Sequence, residues 1–197
     1  ASEPPAAALP PEKSTRTAVT RAPFEFTGSG SEYFRVWIVN VLLSIVTLGI
    51  YSAWAKVRRK QYFYGNTVVM DTAFDYHGDP LKILKGRLIV GGAIVAAGVA
   101  TVFFPLLQFV FTLALGALSP WLIVRSLMFN ARNSSWRNIR FGFKGTTWEA
   151  VKAYLLWPAL SMLTLGVLSP YAYYRQKQFL VDNSAYGRTP FTFAATA

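Results

Sequence analysis

No cysteine occurs among the 197 residues, and the one histidine is His77. The first absence excludes disulfide frameworks, cysteine nucleophiles and thiolate metal sites. The second excludes a multi-histidine metal centre or histidine relay within one chain. Charge is scarce as well: Asp, Glu, Lys and Arg make up 15% of the residues, against about 25% in ordinary soluble domains. Acid is scarcer still. Nine Asp and Glu stand against 20 Lys and Arg, a formal charge of +11, and no acid lies between Leu81 and Trp148. There is no P-loop, dinucleotide fingerprint or nucleophile elbow. With so little acid, base or nucleophile, the chain reads as a non-enzyme that needs no cofactor.

What is present is apolar: 53% hydrophobic and 16% aromatic residues. Three runs carry no charge at all, Val36 to Ala55, Leu88 to Val124 and Ala153 to Tyr174. A helix needs roughly 20 mostly apolar residues to cross a hydrocarbon core of about 30 Å. The outer runs each fit one crossing. The middle run fits two short ones broken at Pro105, because proline interrupts the helical hydrogen-bond ladder. The expected spans are 34–51, 87–104, 106–123 and 151–169. A soluble core with long apolar helices is the plainer alternative, but three such runs disfavour it. The Gly- and Ala-rich stretch Gly91 to Ala100 suits close helix packing in lipid.

Residues 1–23 are Pro- and Ala-rich with scattered charge and no apolar segment of the signal-peptide kind. They read as a disordered tail before a single integral membrane domain, 24–197. Basic residues flank the spans, and the positive-inside rule puts the connections between spans one and two and between spans three and four in the cytoplasm, with both termini outside. The excess positive charge matches anionic lipid headgroups. No nucleic-acid motif accompanies it, so nucleic acid is not an expected partner.

The chain repeats itself. Shifted by 117 residues, Phe24–Tyr76 lies on Phe141–Phe193 with 17 identities in 53 positions. Part of the unit recurs 67 residues after its first appearance, across 115–143. The shared string runs Leu-Gly, Ser, Trp or Tyr, Arg, an aromatic, then Asn-Thr or Asn-Ser. Gly is a common helix terminator, so Leu-Gly marks the end of a span. Ser then caps a second helix, with Pro120 or Pro170 at its first position in two copies. On that helix the aromatic, Arg, aromatic and Asn share a face at steps of four, as an interfacial helix requires.

Alternating stretches near 24–27, 67–77, 136–144 and 189–194 read as short strands. The expected fold is therefore membrane α-helical. Its duplicated units run strand, membrane helix, interfacial helix, strand, and the short strands cap the bundle. With four crossings the strands form two small sheets on opposite sides. If spans 34–51 and 151–169 re-enter instead, every strand stays on the cytoplasmic side.

These motifs carry a resemblance. Phe26-Thr27-Gly28, Glu32-Tyr33-Phe34, the string Leu43 to Arg58, Phe74-Asp75-Tyr76-His77-Gly78 and Phe141 to Gly145 resemble the YjgN-like family. That is a group of bacterial inner-membrane proteins classed as a domain of unknown function. The resemblance covers about residues 24–194 and implies a multi-pass protein of the bacterial inner membrane. It implies no reaction and no ligand.

Candidate functional residues are few. Arg58, Arg125 and Arg175 recur at equivalent places near a membrane boundary, beside Trp54, Trp121 and Tyr171. Such arginines contact anionic headgroups or anchor helices at the interface. Glu32 and Glu149 precede spans, where each can cap a helix start or pair with an Arg. Asn40 lies within an apolar run, where hydrogen bonding between helices is the expected role. Asp71, Asp75, His77 and Asp79 would share one strand face, but the Gly78-Asp79-Pro80 turn explains them without a metal. Three functions fit: a structural or accessory subunit of a membrane complex, an oligomeric transporter or channel, or an anionic-lipid-binding module. The expected partners follow: phospholipid, a larger membrane complex, or a second copy.

Overall fold

The computed structural model describes residues 22–194. The expected tail, 1–23, lies outside these but for its last two residues. In chain order the elements are β1 (Phe24–Phe26), α1 (Gly30–Val46), α2 (Ser52–Gly65), β2 (Thr67–Val69), β3 (Thr72–Tyr76), α3 (Pro80–Phe103) and α4 (Leu107–Arg132). Then come β4 (Ser134–Trp136), β5 (Ile139–Phe143), α5 (Thr147–Val151), a π-helical turn (Lys152–Leu156), α6 (Trp157–Leu163), α7 (Ser169–Asp182), β6 (Ser184–Tyr186) and β7 (Thr189–Pro190).

The strands form one antiparallel sheet in chain order, β1 to β7. This corrects the two-sheet arrangement. One sheet cannot lie on both sides of a bilayer, so every helical excursion leaves the sheet and returns to it. The pairing shows how. β1 pairs with β2 around α1 and α2, β3 with β4 around α3 and α4, and β5 with β6 around α5 to α7. Two-residue turns join these units. Met70-Asp71 and Arg137-Asn138 all have positive φ, the geometry whose twist suits tight hairpins.

The base of each helical hairpin is closed by the same chemistry. Thr27, His77 and Lys144 donate backbone N–H bonds to the carbonyls of Asn66, Asn133 and Asn183, at 2.9, 2.7 and 2.9 Å. Those asparagines end α2, α4 and α7. A helix end leaves carbonyls without partners. Here Asn66, Asn133 and Asn183 donate their side-chain amides to the carbonyls of Tyr62, Phe129 and Phe179. The next hydroxyls, of Thr67, Ser134 and Ser184, donate to Phe63, Asn130 and Leu180. The Asn-Thr/Ser pair is thus a two-carbonyl terminator.

The far ends differ. In α1 the chain turns back through Leu48 (φ 50°) and Gly49 (φ 88°), and after α6 through Leu165 (φ 51°) and Gly166 (φ 88°). Gly49 N–H donates to Ser44 and Leu48 N–H to Ile45, the double bond of a Schellman turn; Gly166 and Leu165 repeat it onto Ser161 and Met162. Thr47 and Thr164 hydroxyls accept the N–H of Tyr51 and Leu168, at 3.0 and 3.3 Å. The threonine hydroxyls thus hold the residue just before each second helix, and neither Ser52 nor Ser169, to which the sequence pattern pointed, caps it. Leu115-Gly116 makes no turn at all. It lies inside the continuous α4, which also absorbs Pro120. Ser119 Oγ donates to the Gly116 carbonyl at 2.8 Å, replacing the bond that the proline nitrogen cannot make.

Phe24 to Asn66 and Phe141 to Asn183 are each 42 residues apart, while Phe74 to Asn133 are 59 apart. The additional residues lengthen α3 and α4 to 24 and 26 residues, against 17 for α1 and 14 for α2. At 1.5 Å per residue α3 and α4 are about 36 and 39 Å long. They are the two helices among the described residues long and apolar enough to cross a membrane. Neither 34–51 nor 151–169 forms one such helix: the first breaks at Thr47–Tyr51, and the second, helical through its π turn as far as Leu163, breaks at Thr164–Leu168.

The packed core joins the middle and third hairpins. Val124 of α4, Phe143 of β5, Ala150, Ala153 and Phe179 of α7 are buried together. Ala53, Ala150, Ala153 and Ala172, each at most 5% exposed, let helix backbones approach closely. Most other large apolar side chains on α1, α3, α4 and α6 are exposed.

Candidate functional site

One cavity lies where the hairpins meet the sheet, and others lie between helices. The first, about 430 Å³, sits against the sheet at its centre and is apolar. Phe24, Phe74, Phe141 and Phe191 line it as a ladder of rings with centroids 6.2, 6.2 and 6.5 Å apart. Phe63, from α2, and Leu127, from α4, close it.

The second, about 610 Å³, lies between α1, α2 and the first turns of α3. One wall is apolar, with Trp37, Val41 and Ile45 of α1. The other carries Lys56, Arg59 and Arg87, and among the described residues no carboxylate lines the cleft. Arg87 Nη1 donates to Ser52 Oγ. Asn40 lines the cleft, is 6% exposed, and leaves its buried Oδ1 without a partner. It does not use that oxygen for the expected pairing of helices. Burial lowers the pKa of Lys56, and the positive charges of Arg87 and Arg59 lower it further. The cleft is therefore a place of uncompensated positive charge.

Lys60, one turn further along α2, donates to Asn130 Oδ1 of α4 at 2.6 Å and stands over the Tyr76 ring. Burial first, then Lys56 and Arg59, lower its pKa to about 8. The folded chain thus binds fewer protons than the unfolded chain between about pH 8 and the ordinary lysine value, so stability rises with pH across that window. Above pH 10 the trend opposes this, because burial raises the pKa of Tyr76 and Tyr154. We expect the unfolding temperature to climb from pH 8 to 9.5, and Lys60→Gln to flatten that slope. A flat wild-type profile would remove Lys60 as its origin.

The three recurrent arginines do not converge on one site. Arg58 is exposed. Arg125 stacks over Trp121, 5.5 Å from its centroid. Arg175 stands over Trp157 and Tyr171 and donates to Gln178 Oε1 at 3.0 Å. It lines a third cleft, about 560 Å³, where Lys152 joins it and Glu149 and Asp182 balance the charge. Trp54 stacks on Tyr51, and Tyr171 packs edge-on to Trp157 at 4.6 Å. Glu32 bonds Tyr62 of α2 at 3.4 Å, while Glu149 caps its own helix through Thr146.

The acids near His77 are spread apart. Asp71 is in the turn, Asp79 caps α3 through Leu81 N–H at 2.9 Å, and His77 Nε2 pairs with Ser135 Oγ at 2.8 Å. Sequence reasoning missed Arg87, Lys56 and Arg59. Lys56 and Arg59 follow the apolar run that holds Asn40, but Arg87 lies 47 residues beyond that Asn and joins them only in the fold.

A family of bacterial proteins of unknown function, DUF898, matches residues 21–197. This chain belongs to that family. Inner membrane protein YjgN of Escherichia coli O157:H7 is 34% identical to it over 141 residues, 64% of this chain and 33% of the relative. YjgN of Salmonella typhimurium strain LT2 is 33% identical over 120 residues, 60% of this chain and 30% of the relative. No solved structure matches. The DUF898 chain thus spans about a third of the length of these curated relatives. The relatives' inner-membrane identity and the two membrane-length helices place it in the bacterial inner membrane.

Proposed function

We propose that this DUF898 chain is a non-catalytic membrane module that engages the cytoplasmic leaflet. The α3/α4 hairpin crosses the bilayer, the sheet lies in the cytoplasm, and the two shorter hairpins enter the leaflet from the same side without crossing.

The observation that carries this is the pair of leucine tips. Leu48 and Leu165 are 94% and 96% exposed, both with left-handed backbone. That conformation costs a non-glycine residue about 1–2 kcal/mol, and neither side chain packs on protein to offset it. Inserted in hydrocarbon, each leucine gains about 2 kcal/mol. Around them Ile45, Val46, Met162, Leu163 and Val167 are exposed as well. Basic residues on the sheet side, among them Arg137, Arg140 and Lys144, favour the cytoplasm.

The chain lacks cysteine, so Leu48→Cys and Leu165→Cys can each carry a single fluorescent label. In bilayers containing brominated lipids, we expect quenching at both tips by bromines within one leaflet. Labels that stay unquenched and open to aqueous quenchers would overturn this reading.

A second reading, an accessory subunit of a larger complex, draws on α3. Its Gly91, Gly92 and Gly98 have nothing within 4 Å where a side chain would start, and small residues of this kind admit a neighbouring helix in lipid. Purification in mild detergent distinguishes it: a stoichiometric protein partner supports it, and a chain that emerges with lipid alone does not.

A further inference from the structure

We infer that the basic cleft between α1, α2 and α3 holds the headgroup of an anionic phospholipid, its phosphate set among Lys56, Arg59 and Arg87. The inference rests on the leaflet reading above and adds the site and the class of lipid.

Three observations lead there. The cations are gathered without an acid: α2 brings Lys56 and Arg59, and α3 brings Arg87 alongside Ser52. The fold does not require this, because the cleft of the third hairpin is lined by Glu149 and Asp182 as well as by Arg175 and Lys152. Uncompensated charge of this kind is a liability unless an anion completes it. Second, Asn40 lies in the cleft wall, 6% exposed, with its buried Oδ1 unpartnered. A ligand hydroxyl reaches that oxygen only when the side chain turns outward; a phosphoglycerol headgroup carries such hydroxyls and an ionised phosphate does not. Third, the opposite wall is apolar, and it runs through Ile45 onto the exposed tip at Leu48. A charged pocket with an apolar exit at leaflet depth fits a headgroup whose acyl chains leave along α1.

The cleft also discriminates. A phosphoethanolamine headgroup brings an ammonium among three cations, whereas a phosphoglycerol headgroup carries net negative charge and no ammonium. A soluble glycerol phosphate shares the headgroup chemistry but has no use for the apolar wall.

The test is native mass spectrometry of the full chain released from nanodiscs. Equal phosphatidylglycerol and phosphatidylethanolamine are supplied, with glycerol 3-phosphate as competitor. We expect phosphatidylglycerol to be retained over phosphatidylethanolamine by about tenfold or more, and Arg87→Gln to reduce retention by about tenfold. Lys56→Arg should keep it, and Arg188→Gln, in the exposed turn between β6 and β7 and outside the cleft, should leave it unchanged. Arg59→Gln alters an exposed side chain and provides the same reading if Arg87→Gln does not fold.

Undiminished retention in both cleft variants overturns the site, and tip quenching in those variants shows whether the leaflet reading survives it. Displacement by equimolar glycerol 3-phosphate overturns the lipid as the source. Equal retention of both lipids overturns the charge selection.

Discussion

Leu48→Asp combined with Leu165→Asp should destabilise the chain in bilayers by several kcal/mol. A carboxylate at the centre of a lipid-embedded helix costs about 2.5–3.5 kcal/mol. At the shallower depth of a hairpin tip, about 2 kcal/mol each is the expectation. Denaturation by titrated SDS in bicelles measures it. The sign is more telling than the size. Leu48→Gly relieves the left-handed backbone by about 1 kcal/mol and forfeits about 2 kcal/mol of apolar transfer, a net loss if the tip is in lipid. If both tips stood in water, glycine would stabilise and aspartate would be neutral. A single pair of variants therefore separates the two environments.

Gly145→Ala should lower the unfolding temperature by roughly 5 °C, while Gly28→Ala should leave it nearly unchanged. Both glycines lie beneath the ring of the aromatic two residues earlier. A methyl at Gly145 would come within 2.6 Å of Phe143 and 2.9 Å of Phe179. These rings meet edge-on, 5.6 Å apart, inside the core, and each is 7% exposed. Neither has room to move, and overpacking of this kind costs about 1–3 kcal/mol, or a few degrees per kcal/mol at this size. At Gly28 the methyl would meet Phe26 at 2.7 Å and the Tyr62 hydroxyl at 2.9 Å, but the Phe26 ring is 54% exposed and held only by its stack on Phe63, and the hydroxyl is the far end of a side chain outside the core, so both yield at smaller cost. Thermal unfolding of both variants checks it. Equal shifts would mean that the glycines matter for backbone freedom and not for the ring above them.

Much of this architecture was legible in the residues. The charge-free run around Pro105 marked the long hairpin, because sustained absence of charge is what hydrocarbon demands. The Asn-Thr/Ser ends of the second helices were legible through recurrence. Span count was not. Val36 to Ala55 has the composition of a crossing helix, and composition does not register a backbone reversal at Leu48-Gly49. The same Leu-Gly at 115–116 stays helical. There Ala114 stands where Thr47 or Thr164 stands elsewhere, so no hydroxyl waits to accept the freed N–H. The basic cleft was illegible for a different reason. Arg87 joins Lys56 and Arg59 only through the packing of α3 on α2, and no periodicity along one segment records that.

The closed base of each hairpin has a bearing on how the protein is made. Each strand pair flanks its own helices, and no strand waits for a partner from a distant part of the chain. Synthesis from the N-terminus can therefore complete one unit while the next is still in the ribosome. The entropic toll of each ring closure grows only slowly with its size, so 59 residues close nearly as readily as 42. On the proposed leaflet reading, biogenesis becomes a sequence of local events, of which only the middle one demands that the insertion machinery pass a chain fully across the bilayer. By the same logic, whole helical turns can be gained or lost beyond a sealed base while the sheet keeps its register, so that depth of insertion is free to drift between homologues.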